Sequence, residues 1–476
     1  MAKAMQNSWS GRRFPSAGRR LPYIGDLLTI DPRQPILSMQ RGAAGLGPIF
    51  ELQVFRQKIV LVGTVELAAE LCDETRFCKA LPPAIEALRD YAGDGLFTAH
   101  NDETNWQLAH ELLMPAFTKS AMQSYHPIMV QTATELFDYW RDRLTAGPVD
   151  VSRDMTKLTM ETLSRSAFSH DFGSFGTEEP HPFVHAMVGA LEGGRRKGGL
   201  RSAPGGKLLA KVIDRRFAHH QAYVDEMLDE LISARGDSES QHDLLGIMLN
   251  VAHPETGEKL SLLNIRYQIL TFLVAGHETT SGALSFALYY LARNPECLAR
   301  AAAEADEILG DDPDAMPAFD QVSKFRYIRR VLDESLRIWP TVPGFGRSPR
   351  ETTTFAGEYT MRPQDFAVVA LGLVHKDPAV WENPDEFDPD RFLAANVKKR
   401  PAHSYKPFGA GARACIGRQF AIHEAVLVLA SLVHRFDITG DPDYELAVDE
   451  RLTMLPRGFE LTLRTRTARM ASADSE

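Results

Sequence analysis

The sequence predicts a mainly α-helical fold with small β-sheets, gathered into one large domain, and three observations carry that expectation. From Glu66 onward, apolar residues recur mostly three and four positions apart, the spacing that lays a stripe along one helix face. Runs rich in β-branched residues are scarce outside the N-terminal region. No long linker divides the 476 residues and no internal repeat is visible, although length alone would allow two to four domains at roughly 100–200 residues each.

Taken in order, residues 1–20 read as an N-terminal tail, basic in part but without the apolar stretch of a secretory signal. Ile49–Val54 (IFELQV) and Lys58–Gly63 (KIVLVG), separated by Phe55, Arg56 and Gln57, read as a β-hairpin. Ala121–Leu144 and His219–Ala234 carry the helical period. Between helical patterns, Gly193–Gly206 (GGRRKGGLRSAPGG) is glycine-rich and basic, and reads as a mobile surface connection, either a lid or a plain loop. Asn264–Pro295 has no internal proline and would span roughly 45 Å as a helix, enough to cross a whole domain. Gly310–Pro317 (GDDPDAMP) reads as an acidic turn, and residues 464–476 as a polar C-terminal tail, which leaves 21–463 as the domain.

Composition removes several function classes. Hydrophobic residues at 44% and charged residues at 24% belong to a globular chain with a large core. A net charge of −10 opposes phosphate binding, so nucleic acid is not an expected partner. Four cysteines, Cys72, Cys78, Cys297 and Cys415, are too few and scattered for a secreted disulfide framework. The longest apolar runs fall short of the ~18–20 residues that span a bilayer. A cytoplasmic location without a membrane span is expected.

Two segments carry chemistry. The middle of the long apolar helix holds His277, Glu278, Thr279, Thr280 and Ser281 beside Gly276, poor helix formers that need a reason for burial. One reason is bland: the threonines bond back to i−4 carbonyls and Glu278 reaches solvent. A zinc-protease HExxH fails, because the fifth position is Ser281. The second segment is Lys406–Ala421 (KPFGAGARACIGRQFA), where glycines at 409, 411 and 417 permit tight turns that aim main-chain N–H groups at the Cys415 sulfur. A lone cysteine is ordinarily an inert core thiol. The pattern F-G-x-G-x-R-x-C-x-G, from Phe408 to Gly417, reverses that prior, and it resembles the haem-binding loop of the cytochrome P-450 family.

Other residues stand where that resemblance requires. Glu334 and Arg337 form ExxR, with Arg391 in FDPDRF as the third charge of the family's buried cluster. CDETRF (Cys72–Phe77), YAGDGLFT (Tyr91–Thr98) and NIRYQI (Asn264–Ile269) resemble the haem domains of bacterial self-sufficient fatty-acid hydroxylases. The resemblance implies a cytochrome P-450 fold, one large haem domain with a long central distal helix, and non-covalent haem b (iron protoporphyrin IX), since no CxxCH occurs. Cys415 would be the metal ligand; Arg413 and Trp106, helped by His110 and Lys79, would hold the propionates. Phe408, Gly409 and Gly417 would shape the sulfur's surroundings. Glu278 and Thr279 would be the catalytic acid–alcohol pair that delivers protons to bound O2, with Ala275 and Gly276 leaving it room. The Arg-Pro pair of peroxide-using relatives is absent, so O2 is the expected oxidant.

By the same resemblance the substrate pocket would be lined by Ala84, Ile85, Leu88, Phe97, Val274, Ala275, Val342, Gly344 and Leu452, a wall suited to a hydrophobic small molecule. A fatty acid or fatty-acid-like molecule is the leading expectation. The arginine and tyrosine that anchor a carboxylate in those hydroxylases are replaced by Gln57 and Leu61, leaving Arg56, Lys58 or the Arg195–Lys197 cluster as substitutes. A larger polyketide-like substrate is the alternative, and a haem-thiolate ligand-binding or sensor protein the non-enzymatic one. No flavin or NADPH motif occurs, so electrons are expected from a separate or removed diflavin reductase, flavodoxin or ferredoxin. The basic residues Lys398, Lys399, Arg400 and Lys406 read as its docking patch.

Overall fold

A computed structural model describes residues 14–16, 20–31, 33–42, 46–55, 57–200, 205–236 and 242–466. The chain enters through α1 (Pro35–Gly42), β1 (Ile49–Val54), β2 (Gln57–Val62), α2 (Val65–Leu71) and β3 (Phe77–Ala80). Short helices α3 (Pro83–Glu86) and α4 (Arg89–Ala92) precede α5 (Thr104–Leu113), α6 (Lys119–Arg141), strand β4 (Val149–Asp150) and α7 (Val151–Phe168). Next come α8 (Pro182–Leu200), α9 (Gly206–Ser233), α10 (Leu244–Asn250), α11 (Leu262–Arg293), α12 (Pro295–Leu309), α13 (Phe319–Val322) and α14 (Arg326–Ile338). Strands β5 (Gly344–Pro349), β6 (Thr353–Phe355), β7 (Tyr359–Met361) and β8 (Ala367–Ala370) follow, then α15 (Leu371–Val374), α16 (Ala394–Lys399) and α17 (Arg418–Arg435). The last strands are β9 (Phe436–Gly440), β10 (Val448–Glu450), β11 (Met454–Pro456) and β12 (Glu460–Thr465).

The expected hairpin forms, with Ile49 opposite Val62 and Val54 opposite Gln57. Its second strand starts one residue earlier than the sequence suggests, and Arg56 in the turn lies outside the described residues. The sheet continues in the order β1-β2-β8-β5-β3. Alternation along β2 sends Val60 and Val62 to one apolar cluster and Leu61 to another, with Phe50 and Leu52. The N-terminal segment is partly docked on the strands: Phe14 stacks on Tyr359 of the separate β6-β7 sheet at 4.2 Å, and Arg20 pairs with Glu51 of β1 at 2.7 Å. At the other end β12 runs past residue 463, and Arg466 pairs with Asp306 at 2.8 Å.

The centre is α11, the long helix expected from Asn264–Pro295. Ser261 caps it by accepting from Asn264 N, and Pro295 starts the next helix. Helix α7 packs closely along it, because Gly276 has no Cβ; one built there would meet Leu163 Cδ2 at 2.9 Å. Gly276 thus serves helix packing on the side that faces Leu163, and it is itself half-buried. The acidic turn forms after α12, and α17 clamps it: His434 bonds Asp312 O at 2.8 Å and Arg435 donates to Asp314 O at 2.7 Å.

Gly193–Gly206 overturns the expectation of a mobile surface connection. Helix α8 runs through Gly193 and Gly194 to Leu200, and Gly205 precedes α9 in the left-handed conformation; residues 201–204 lie outside the described residues. The glycines pack rather than flex. Gly193 admits Phe217 of α9 to 3.0 Å of where a Cβ would sit, and Gly194 admits Tyr91 and Leu88 to 3.1 and 3.2 Å. Lys197 is buried and pairs with Asp90 at 2.8 Å and Asp214 at 2.7 Å, which fastens α8 to α4 and α9.

Candidate functional site

The cysteine loop is built by two glycine turns. Gly409 and Gly411 sit at φ of 74° and 67°, and a side chain on Gly411 would collide with the Glu74 carboxylate, which accepts from Ala412 N at 3.1 Å. Cys415 N donates to Phe408 O at 2.9 Å, closing the loop. Gly417 is not left-handed. It stands at the N-cap of α17 and lets Phe117 and the Cys415 sulfur approach to 3.9 and 4.0 Å of where a Cβ would sit. Burial pushes the thiol up, while the Gly417 N–H and the Arg418 charge pull it down. Burial prevails and holds the thiol above its ordinary value, with those two influences and the first turn of α17 opposing it. The side chain is nonetheless exposed, so its sulfur opens on a space inside the fold.

Cations gather beside this space. Arg413 lies over the Trp106 ring at 4.2 Å and donates to Ala99 O at 2.7 Å and His100 O at 3.0 Å. Trp106 stacks on His110 at 5.0 Å, one turn along α5. Lys79 donates to Phe97 O and lies 5.6 Å from the Phe97 ring. Burial, then the Arg413 charge, pulls the Lys79 ammonium down to about 7, and burial pulls Arg413 down to about 10. The nearby Glu103 is bound by Arg89, at 2.9 Å and 2.5 Å. Two partly desolvated cations therefore press on each other, a setting that calls for a bound anion.

Helix α11 is buried along most of its middle but open at Ala275 and partly open at Gly276 and Thr279, the last one turn after Ala275. Thr279 Oγ1 donates to Ala275 O at 2.7 Å, the back-bond expected of a helix threonine. Glu278 does not reach solvent. It is buried and accepts from Thr453 Oγ1 at 2.6 Å, with Arg451 at 3.4 Å. The neighbouring polar groups bind helix α7: Thr159 Oγ1 donates to His277 O at 2.8 Å, and Thr156 reaches Ser281 at 3.4 Å. Thr453 and Arg451 escaped the sequence reading, since nothing in a short turn near the C-terminus signals a contact with residue 278.

Of the expected pocket wall, Val274 and Leu452 meet in one apolar cluster, and Leu88 is buried beneath Gly194. Ile85 is half-buried one turn before Leu88, and Phe97 is half-buried beside Lys79. Val342 and Gly344 follow Thr341, whose methyl would lie 2.9 Å from a Cβ on Gly282 of α11. The Ala84 side chain lies outside the described residues. Of the substitute anchors for a carboxylate, Lys58 pairs with Glu51 at 3.5 Å, Arg196 with Glu192 at 2.6 Å, and Lys197 holds two aspartates; Arg56 and the Arg195 side chain lie outside the described residues. Leu61 is buried among apolar residues.

Glu334, Arg337 and Arg391 meet as expected. Arg337 donates to both Glu334 oxygens at 2.6 and 2.7 Å, and Arg391 Nε lies 3.2 Å from Glu334 Oε1. The remaining Arg337 donors reach the carbonyls of His375, Pro384 and Glu386. The basic patch is less uniform than its sequence. Arg400 stacks over Trp381 at 3.9 Å, and Lys406 is half-buried, whereas Lys398 and Lys399 are exposed on α16.

A haem would fit these residues: the Cys415 sulfur would hold its metal and Arg413 and Lys79 its carboxylates, while Ala275 and Thr279 stand open on α11. The fold and site thus define a haem-thiolate protein, and haem b fits. The family model described as Cytochrome P450 matches residues 15–463, and the chain belongs to that family. It is 43% identical over 445 residues to a bifunctional cytochrome P450/NADPH–P450 reductase of Bacillus cereus, covering 92% of this chain and 41% of the relative. A Bacillus subtilis protein of the same description is 41% identical over 455 residues, covering 95% and 42%. A self-sufficient cytochrome P450 monooxygenase of Phanerodontia chrysosporium is 37% identical over 445 residues, covering 92% and 41%. The chain spans about two-fifths of the length of these curated relatives. Among the described residues no helix is long and apolar enough to cross a membrane.

Proposed function

We propose that the chain is the haem-bearing part of an O2-dependent monooxygenase that hydroxylates or epoxidises an apolar, fatty-acid-like substrate. The observation that carries this is the Cys415 sulfur, exposed inside the fold, bonded by the Gly417 N–H and seated at the start of α17. Bound haem supplies O2 activation, with the thiolate pushing electron density to favour O–O cleavage. Arg413, Trp106, His110 and Lys79 hold the propionates, and Phe408 packs by the loop. Thr279 holds a proton at its hydroxyl on the open stripe of α11, and Glu278, its carboxyl group oriented by Thr453, takes up protons from water and passes them toward that hydroxyl. Leu88, Phe97, Val274, Val342 and Leu452 exclude water and hold the substrate by apolar burial, at roughly 25 cal/mol per Å2.

The electron donor is a diflavin NADPH reductase, carried by the rest of the polypeptide as in the relatives, or separate. The reduced, CO-bound spectrum tests the centre: a thiolate-shifted Soret band is expected and should vanish in Cys415→Ala. Lys58, Arg196 and Lys197 are already paired, which supports a substrate held by apolar burial without a carboxylate anchor among these three residues. A spectral titration comparing a long-chain acid with its methyl ester should give similar affinities. A strong preference for the acid would restore an anchor and overturn that part.

A further inference from the structure

We propose that Gln268 and Asn264 of α11 are positioning residues that fix the place of Phe97 and so decide which ligands the site admits. This rests on the reading of Phe97 as part of the pocket wall. Both side chains are amides and both are fully buried, 0% and 1% exposed. Leu96 N donates to Gln268 Oε1 at 3.0 Å, Gln268 Nε2 to Asn264 Oδ1 at 3.0 Å, and Asn264 Nδ2 to Asp94 Oδ1 at 2.8 Å. This chain of bonds leaves one loop at Leu96 and returns to it at Asp94. Asn105 of α5 donates to the other Asp94 oxygen at 2.6 Å. A backbone N–H only donates and an ionised carboxylate only accepts, so neither amide can turn over without losing bonds.

The clamped loop carries Phe97 at its centre. Two glycines let it lie against α11: a Cβ on Gly93 would strike the Tyr267 ring, and one on Gly95 would strike Thr271 Oγ1. Cations grip its carbonyls, Arg413 at Leu96 O, Lys79 at Phe97 O and Arg89 at Thr98 O. The peptide units on both sides of Phe97 are therefore held, and Gln268 holds the one before Leu96. Asn264, Gln268, Thr271, Ala275 and Thr279 recur at four- and three-residue spacing, which puts the clamp and the open residues on one stripe of the helix, with Ala275 about 10 Å beyond Gln268. An apolar side chain of the same length would fill the space without the cost of stripping water from an amide. What the amides add is direction: their bonds form in one register of the loop on the helix, and a ring in a pocket wall needs that register.

The test is a spectral titration of the haem-loaded chain with imidazole and with 4-phenylimidazole, two iron ligands that differ by a ring the wall must accommodate. Gln268→Met should change the ratio of their affinities about threefold or more. Hydrogen exchange at the Leu96 amide should rise about tenfold or more, with α17 unchanged. In a Phe97→Ala background the same substitution should leave the ratio as it was, because Gln268 acts through that ring. The CO spectrum reports that each variant is folded. Asn105→Ala removes only the outer bond to Asp94 and should move the ratio in the same direction; it decides the matter if Gln268→Met loses haem. A ratio unmoved in folded variants, or moved equally without the Phe97 ring, would overturn the proposal. Turnover of dodecanoic acid with a surrogate reductase is scored separately: its absence in the parent chain would count against the proposed substrate, while the affinity ratio still decides the positioning.

Discussion

Thr453 Oγ1 donates a 2.6 Å hydrogen bond to Glu278 Oε2, joining the turn between β10 and β11 to the centre of α11. This bond holds a buried acid beside the open Thr279 in the middle of α11. Removing the donor should leave a buried carboxylate oxygen short of a partner, at about 1–3 kcal/mol. Thr453→Val is therefore expected to lower thermal stability and the fraction of NAD(P)H consumption that ends in product, with Thr453→Ser restoring both. Unchanged coupling in the valine variant would separate Thr453 from proton delivery.

Thr279→Ala is expected to bind haem normally and to divert reducing equivalents to peroxide. The hydroxyl makes only a local bond, to Ala275 O, so its loss costs the fold little. The ratio of peroxide to product, measured with a surrogate reductase, checks this. A ratio equal to that of the parent chain would remove Thr279 from the relay.

Much of this site is legible in the sequence because its logic is local. The glycines around Cys415 and the i, i+3 pair Glu334–Arg337 act across a few residues, so their spacing carries the geometry. Arg391 is distant in sequence, and only the resemblance brought it to Glu334. The failure at Gly193–Gly206 has the same root. Glycine, arginine and lysine have the composition of a loop, and nothing local reveals that Phe217, Tyr91 and Leu88 approach the glycines or that Asp90 and Asp214 neutralise Lys197. Tertiary contact overrode propensity there. At Gly276 the contact with Leu163 of α7 likewise had no local signal.

Arg337→Leu should be among the most damaging substitutions. It strips the buried Glu334 of its bidentate partner and leaves three carbonyl oxygens without this donor. Breaking a buried ion pair by removing one member costs about 3–5 kcal/mol. Chemical denaturation should show a loss of that order, with little haem retained at physiological temperature. A loss below about 1 kcal/mol would mean that Arg391 alone satisfies Glu334.

Lys197→Met should loosen α8 from α4 while sparing the haem. The ammonium is raised above its ordinary range mainly by its bonds to Asp214 and Asp90, against burial, whereas both aspartates reach solvent and rehydrate when it is removed. A stability loss of about 1–3 kcal/mol is expected, the cost of leaving charge-assisted hydrogen bonds unmade. Hydrogen exchange should rise in α8 and α4 more than in α17. A uniform rise would show that Lys197 supports the whole fold rather than this junction.

Glu424 gives the chain a pH dependence whose sign follows from its burial. It lies on α17, its carboxyl oxygens have no partner of good hydrogen-bond geometry among the described residues, and burial raises it to about 8 from an ordinary 4.5 against the nearby Thr162 hydroxyl. Between these values the folded chain keeps a proton that the unfolded chain releases, so stability falls as pH rises from about 4.5 to about 8 and levels beyond. A displacement of this size corresponds to a few kcal/mol. Glu424→Gln keeps the shape without the titration, and denaturation at pH 6 and pH 9 should show its advantage over the parent growing with pH. If the parent and the glutamine variant keep the same stability difference at both pH values, Glu424 stays charged in the fold, stabilised by neighbours such as Thr162.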